Sequence, residues 1–136
     1  MNVLFVCIGN QGRSVMAERL FKHAAGGSHQ ARSAGADPGD VVHPEVVEAL
    51  REVGIDASDH VPHKLDDADL TWADVAVAVC PYDVCPVTPG VRRLSWPVDD
   101  PIGLPVEQVR LIRDEIEGRV EQLVRELSAG SGAVTV

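Results

Sequence analysis

The chain has 136 residues, 45% apolar and 24% charged, a size and balance suited to one globular domain that buries its own core. Its 12 basic residues are scattered among 21 acidic ones for a formal net charge of −9, which argues against non-specific binding to nucleic acid or to an anionic membrane. No apolar run reaches the length of a membrane span, and Met1-Asn2-Val3 leads into an apolar stretch without a basic leader, so the expected location is the cytoplasm.

Asn2 to Cys7 is a short, nearly continuous apolar run, which predicts a buried parallel strand. A polar loop, Gly9-Asn10-Gln11-Gly12, follows it. Ser14 reads as the N-cap of a helix in which Val15, Met16, Leu20 and Phe21 recur at helical spacing before the Gly26-Gly27 stop. Ala31 to Ala34 reads as a second strand, closed by Gly35, and Pro38-Gly39 as a loop. His43-Pro44 opens another helix, with Val46, Val47 and Leu50 on one face and Gly54 at its end. Ser58 to Asp69 is expected to be a loop with a helical turn. Asp74 to Val79 predicts a third strand, Cys80 to Gly90 a Pro-rich connection, Val91 to Trp96 a fourth strand, and Pro97 to Leu104 a loop. From Pro105 onward, Val109, Ile112, Ile116, Val120, Leu123 and Leu127 mark a long amphipathic helix. The domain is placed at 1–128, with 129–136 as a flexible tail. The alternation predicts a single α/β domain: a four-stranded parallel sheet with helices on both faces.

The loop after the first strand carries the chemistry. Cys7-Ile8-Gly9-Asn10-Gln11-Gly12-Arg13-Ser14 has the form Cys-x5-Arg-Ser between a strand and a helix. Successive backbone N–H groups from Ile8 to Ser14 can form an anion nest, and a helix N-terminus adds partial positive charge. Arg13 can grip two oxygens of a tetrahedral oxyanion. The same donors, with the Ser14 hydroxyl, would stabilise a thiolate at Cys7. The plainer reading is a small buried cysteine and a surface arginine. A bare Cys-x5-Arg match is weak, but strand, glycines, serine and helix here all fall where the nest needs them. Asp99-Asp100-Pro101 follows the fourth strand and offers a proton donor for a leaving oxygen, although alone it reads as a turn.

An odd count of three cysteines argues against a disulfide framework and suits redox work. Cys80 ends the third predicted strand and Cys85 follows five positions later. Loops at the carboxyl ends of parallel strands share one edge, so both belong on the side of the Cys7 loop. A zinc site is disfavoured because no second Cys/His pair stands at ligand spacing. His60 and His63 read as solvated loop residues.

The loop resembles that of the low-molecular-weight protein tyrosine phosphatase superfamily, which includes thioredoxin-coupled arsenate reductases. The likeness extends over Val3 to Phe21, Ser33-Ala34-Gly35, Pro44 to Ile55 and Trp96 to Gly103. It implies Cys7 as nucleophile, Arg13 as oxyanion clamp and Asp100 as general acid, with Asp99 as fallback. Ile102-Gly103 stands where the phosphatases carry an aromatic pair, and no aromatic occurs from Ala24 to Thr71. A phenyl ring needs apolar flanks, so a small inorganic oxyanion suits the site better than phosphotyrosine. Trp96 to Gly103 resembles the reductase branch. The resemblance thus implies an arsenate reductase acting on arsenate or a phosphate-like oxyanion. Cys80 would attack Cys7, Cys85 would attack Cys80, and thioredoxin or another thiol reductant would restore the dithiol, without metal or organic cofactor. The alternatives are a phosphatase hydrolysing phosphate monoesters through phospho-Cys7, and a non-enzymatic oxyanion or redox sensor.

Two departures stand out. The four-residue gap between Cys80 and Cys85, stiffened by Pro81, differs from that of better-known members. Gly12 stands where many relatives have a second loop cysteine. Glu18 and Asn10 match positions that resemble a potassium site in some arsenate reductases, although for Glu18 a helix-face carboxylate is the preferred reading.

Overall fold

The apolar run near the N-terminus becomes the strand on which the molecule is built. The computed structural model describes residues 1–80 and 89–133, so Cys85 and Tyr82 lie outside the described residues. Strand β1 (Asn2–Cys7) pairs in parallel with β2 (Gln30–Gly35) along its length, from Asn2 opposite Gln30 to Cys7 opposite Gly35. On its other side β1 pairs with β3 (Val75–Ala78), with Val6 opposite Ala78. β4 (Arg92–Ser95) completes a four-stranded sheet in the order β2-β1-β3-β4. A central parallel strand is covered on both faces, which is why Val3 to Val6 are all apolar and fully buried.

Side chains alternate between the faces of a strand, and β1 feeds two cores accordingly. Val3 and Phe5 enter the larger core with Val15 and Phe21 of α1 (Arg13–Ala25), Val46 and Leu50 of α2 (Pro44–Arg51), and residues of the C-terminal helix such as Ile116 and Leu123. Leu4 and Val6 enter the smaller core with Ala76, Ala78 and the side chains of Leu70 and Trp72 on α3 (Asp67–Trp72). The C-terminal helix α4 (Val106–Ala133) lies across α1 and α2. This is the α/β architecture, with helices on both faces, that the alternating pattern predicts.

Local chemistry sets the helix ends. Gly26 terminates α1 in the left-handed region at φ 58°, where glycine carries no Cβ penalty. Pro44 opens α2 at a position whose N–H has no intrahelical partner. Three ends differ from the sequence expectation. Ser14 is not the N-cap of α1: the helix begins at Arg13 with Gly12 as its cap and no side-chain capping bond. The helical turn expected within Ser58 to Asp69 is the start of α3, which opens on a reciprocal capping box between Asp66 and Asp69 and runs on to Trp72. The last helix continues to Ala133, across residues that the sequence pattern assigns to a tail, because the apolar stripe stops at Leu127 while the backbone ladder does not.

The strand order fixes where a site can form. The chain leaves β1 toward β2 on one side and returns as β3 on the other. The two connections diverge at the carboxyl end of β1, the crevice where parallel α/β sheets bind ligands. Cys7 stands at that end.

Candidate active site

The loop after β1 is shaped by the segment that follows β2. The amides of Ala36, Asp37, Gly39 and His43 donate to the carbonyls of Cys7 (3.0 Å), Ile8 (2.8 Å), Gly9 (3.0 Å) and Gln11 (3.1 Å). In a trans peptide a carbonyl and the next N–H point opposite ways, and no described peptide is cis. Holding these carbonyls outward therefore turns the N–H groups of Ile8, Gly9, Asn10 and Gly12 toward the inside of the loop, as an anion nest requires. Gly35 makes the approach possible: a Cβ there would lie 2.6 Å from the Ile8 carbonyl oxygen and 3.0 Å from the Asn10 nitrogen.

Cys7 lies at the floor, 2% exposed. Its Sγ accepts from the Asn10 amide at 3.2 Å and stands 2.9 Å from the Ser14 Oγ. The direction of the second bond follows from a chain of partners. The backbone N–H of His63 can only donate, and it faces Asn10 Oδ1 at 2.9 Å. The other end of that amide, Nδ2, thus donates to Ser14 Oγ at 2.8 Å, leaving the Ser14 proton free to point at Cys7. His60 Nε2 stands 2.9 Å from the same Oδ1 and must carry a proton to bond there. Burial pushes the His60 imidazole below the usual histidine value of 6.5, the nearby Glu18 carboxylate opposing in part. The ring is accordingly neutral at pH 7, with its proton on Nε2. Asn10, the one non-glycine residue at positive φ among those described (51°), is fully buried and holds the relay together.

Arg13 is 4% exposed. Its Nη1 donates to the Val98 carbonyl at 3.0 Å, and Nη2 lies 3.5 Å from Asp100 Oδ2. Asp100 Oδ1 accepts from the Ile102 amide at 3.0 Å, so the turn and the acid are the same residue. Cys7, Ile8, Gly9, Gln11, Gly12, Arg13 and Asp100 line one cavity of about 290 Å³, closed on the far side by Asp37, Pro38, Gly39, His43 and Ile102. Asp99 is absent from that lining, which favours Asp100 over the fallback. Asn10 and Ser14 stand behind Cys7 and not in the wall. Among the described residues, no Phe, Tyr or Trp side chain lines the cavity. A larger groove of about 550 Å³ between β4 and α4, lined by residues such as Arg92, Trp96 and Gln122, contains no nucleophile.

Cys80 is fully buried just past β3. The Val79 amide donates to the Val6 carbonyl at 2.8 Å, so Cys80 leaves the strand next to the one that ends in Cys7. Glu18 is buried, with Oε1 accepting from Ser33 Oγ at 2.6 Å and Oε2 paired to Lys22 Nζ at 2.9 Å and Arg19 Nε at 3.2 Å. Those bonds are what a structural helix-face carboxylate makes. Among the described residues, His63, Asp66 and Asp69 bring ligand-type atoms within 4.8 Å of one another. Asp66 and Asp69 are engaged in the α3 capping box and His63 Nε2 bonds Asp69 at 2.8 Å, so the cluster reads as a helix cap.

The site includes partners that sequence patterns did not single out. The His60 ring meets Asn10, where a solvated loop residue is expected, whereas the His63 side chain is exposed as expected and bonds Asp69 while its backbone N–H meets Asn10. Their only sequence signal is that both stand in a short polar stretch. What makes them matter is that the Asn10 side-chain oxygen needs donors, which it finds about fifty residues away in the chain.

Comparison with known proteins agrees with this geometry. Residues 2–132 match the model of the low molecular weight phosphotyrosine protein phosphatase family. An arsenate reductase of Brevibacillus brevis is 39% identical over 123 residues, 88% of this chain and 91% of that protein. The structure of a thioredoxin-dependent arsenate reductase from Corynebacterium glutamicum superposes with a TM-score of 0.81 at 36% identity over 95% of this chain, which spans 62% of that longer chain. An arginine phosphatase from Geobacillus stearothermophilus gives a TM-score of 0.81 at 26% identity, covering 95% of this chain and 94% of its own. A match over nearly the whole length, with the Cys7-to-Ser14 loop at the end of the first strand and Asp100 after the fourth, places this chain in the low molecular weight phosphotyrosine protein phosphatase family.

Proposed function

We propose that the chain is an arsenate reductase. The observation that carries this reading is the pairing of an oxyanion nest, built around Cys7, with a second buried cysteine leaving the neighbouring strand. The similarity to proteins named arsenate reductase supports it.

Arsenate enters the nest and meets the Arg13 guanidinium. The Cys7 thiolate attacks arsenic, an As–O bond breaks, and Asp100 supplies the proton with which that oxygen leaves as water. The Ser14 hydroxyl holds the sulfur lone pair toward the incoming atom. Cys80 then attacks the Cys7 sulfur. A Cys7–Cys80 disulfide forms, the As–S bond breaks, and its electron pair stays on arsenic, which leaves as arsenite. Cys85, which lies outside the described residues, attacks Cys80, giving a Cys80–Cys85 disulfide and freeing Cys7. The dithiol of thioredoxin, or of another thiol reductant, restores the start. All electrons come from thiols, so the scheme requires no metal or organic cofactor, and a reducing cytoplasm is its natural setting.

A phosphatase would use Cys7, Arg13 and Asp100 in the same way and leave Cys80 and Cys85 idle. One round of arsenate without reductant, followed by peptide mapping, separates the two. The reductase leaves Cys80 and Cys85 joined and Cys7 free. A phosphatase leaves all three thiols free, and that outcome would sink the proposal.

A further inference from the structure

We infer that Gly12 is a positioning residue for Asp100: it is the socket in which Pro101 seats the acid loop over the nest. This rests on the reading of Asp100 as the acid. A Cβ built on Gly12 would lie 2.7 Å from Pro101 Cγ and 3.5 Å from Pro101 Cδ. Real Cβ atoms do not approach carbon so closely. A proline ring is tied to the backbone at both ends and cannot swing aside as the end of a long side chain would. On the other flank the same Cβ would stand 3.6 Å from His43 Cδ2, in ordinary contact, so the conflict is with Pro101 alone.

The burial pattern supports the assignment. Asp99, Asp100 and Ile102 are exposed, whereas Pro101 between them is buried. Pro101 is thus the anchor of an otherwise solvated turn. A second anchor is the Val98 carbonyl, held by Arg13 Nη1 at 3.0 Å. Val98 and Pro101 bracket Asp100, and the residues that hold them, Arg13 and Gly12, are neighbours in the nucleophile loop. The acid turn is therefore held by two neighbouring residues of this loop, Arg13 through its guanidinium and Gly12 through the space it leaves, and a methyl added at Gly12 would press on Pro101. The Asp100 carboxylate, 3.5 Å from Arg13 Nη2, would move with the turn.

A double-mutant cycle tests the inference with Gly12→Ala, Pro101→Ala and the double variant. Pro101→Ala removes the Cγ that the new methyl would strike and the Cδ it would touch. Two readouts are taken: steady-state arsenate reduction, and amide hydrogen exchange at Ile102 and Leu104 with the amides of β1 and β3 as a control for folding. Gly12→Ala is expected to lower kcat by about tenfold with KM changed by less than about twofold, since the loss falls on the acid and not on binding. Its Ile102 and Leu104 amides should exchange faster while those of β1 and β3 do not. Pro101→Ala alone should lose less than about threefold, and the double variant should be no worse than Pro101→Ala, the non-additivity expected of side chains in contact. Losses that add in the double variant, or a Gly12→Ala defect confined to KM with unchanged exchange, would overturn the inference and place the role of Gly12 in the nest itself. Should the wild type fail to reduce arsenate, the functional proposal falls, and the exchange data still decide whether Gly12 seats the loop.

Discussion

Asn10 meets three demands at once. Its backbone accepts the left-handed conformation, its amide nitrogen supports Ser14, and its oxygen accepts from His60 and His63. The relay ends on Cys7 through the Ser14 hydroxyl. Ser14→Ala removes the donor that stabilises a charged sulfur, a bond of about 1.5–3 kcal/mol, so the first chemical step should slow by about tenfold or more with little change in thermal stability. An unchanged burst rate would show that the Asn10 amide alone suffices. His60 links the relay to pH. Its folded value lies below 6.5, so in the acid range the unfolded chain binds the proton more readily than the native one. Stability from this group is complete above pH 6.5 and is lost as pH falls through and below it. His60→Gln keeps an N–H donor and cannot titrate, so urea unfolding between pH 7 and 5 should show a flatter slope than in wild type. His29, whose value is also lowered by burial, contributes to the slope that stays, as does Glu52 toward pH 5. An identical slope in the variant would rule His60 out as the source. At this scale the meeting of Cys7, Arg13 and Asp100 in one cavity was legible in the sequence, because strand, glycines and helix bracket the first two and Asp-Pro marks the third. His60 was not, since nothing local distinguishes a solvated histidine from one that meets Asn10 in space.

Elements place these residues through backbone contact more than through side chains. The amides of 36–43 turn the nucleophile loop inside out, and Gly35 lets β2 pass beneath it. Gly35→Ala should therefore destabilise the fold by about 1–3 kcal/mol, as overpacking against fixed backbone does, and should weaken competitive inhibition by phosphate because the nest is pushed open. Phosphate inhibition equal to wild type would show that the loop relaxes without losing its shape. Packing holds the helices in turn. Leu50 of α2 is fully buried in the larger core, and Leu50→Ala should cost about 2–5 kcal/mol in urea unfolding; a loss under about 1 kcal/mol would mean that the core collapses to fill the gap. Beside it Glu52 bonds both Arg110 and Arg113 of α4, and those guanidiniums hold its carboxyl below the usual range. The strands and the long helices were legible because their apolar periods are clean. The helix α3 was legible only as a helical turn because its six residues carry too few apolar positions to show a period, and its signal, an Asp-x-x-Asp capping box, is short and easily taken for a polar turn.

At the scale of the molecule, parallel topology does the assembling. The order β2-β1-β3-β4 opens a crevice at the end of β1, brings the Asp100 loop over it from β4, and delivers Cys80 from the adjacent strand. The alternation of strands and helices made the sheet legible, but the strand order was fixed only by the pairings themselves. The central claim is that three thiols act in sequence at one edge of this sheet. Its most direct test is arsenate-dependent NADPH oxidation with thioredoxin and thioredoxin reductase, comparing wild type with Cys80→Ser and Cys85→Ser. The account predicts turnover in wild type and none in either variant. Turnover that survives loss of Cys80, or p-nitrophenyl phosphate hydrolysis without any arsenate turnover, would contradict it.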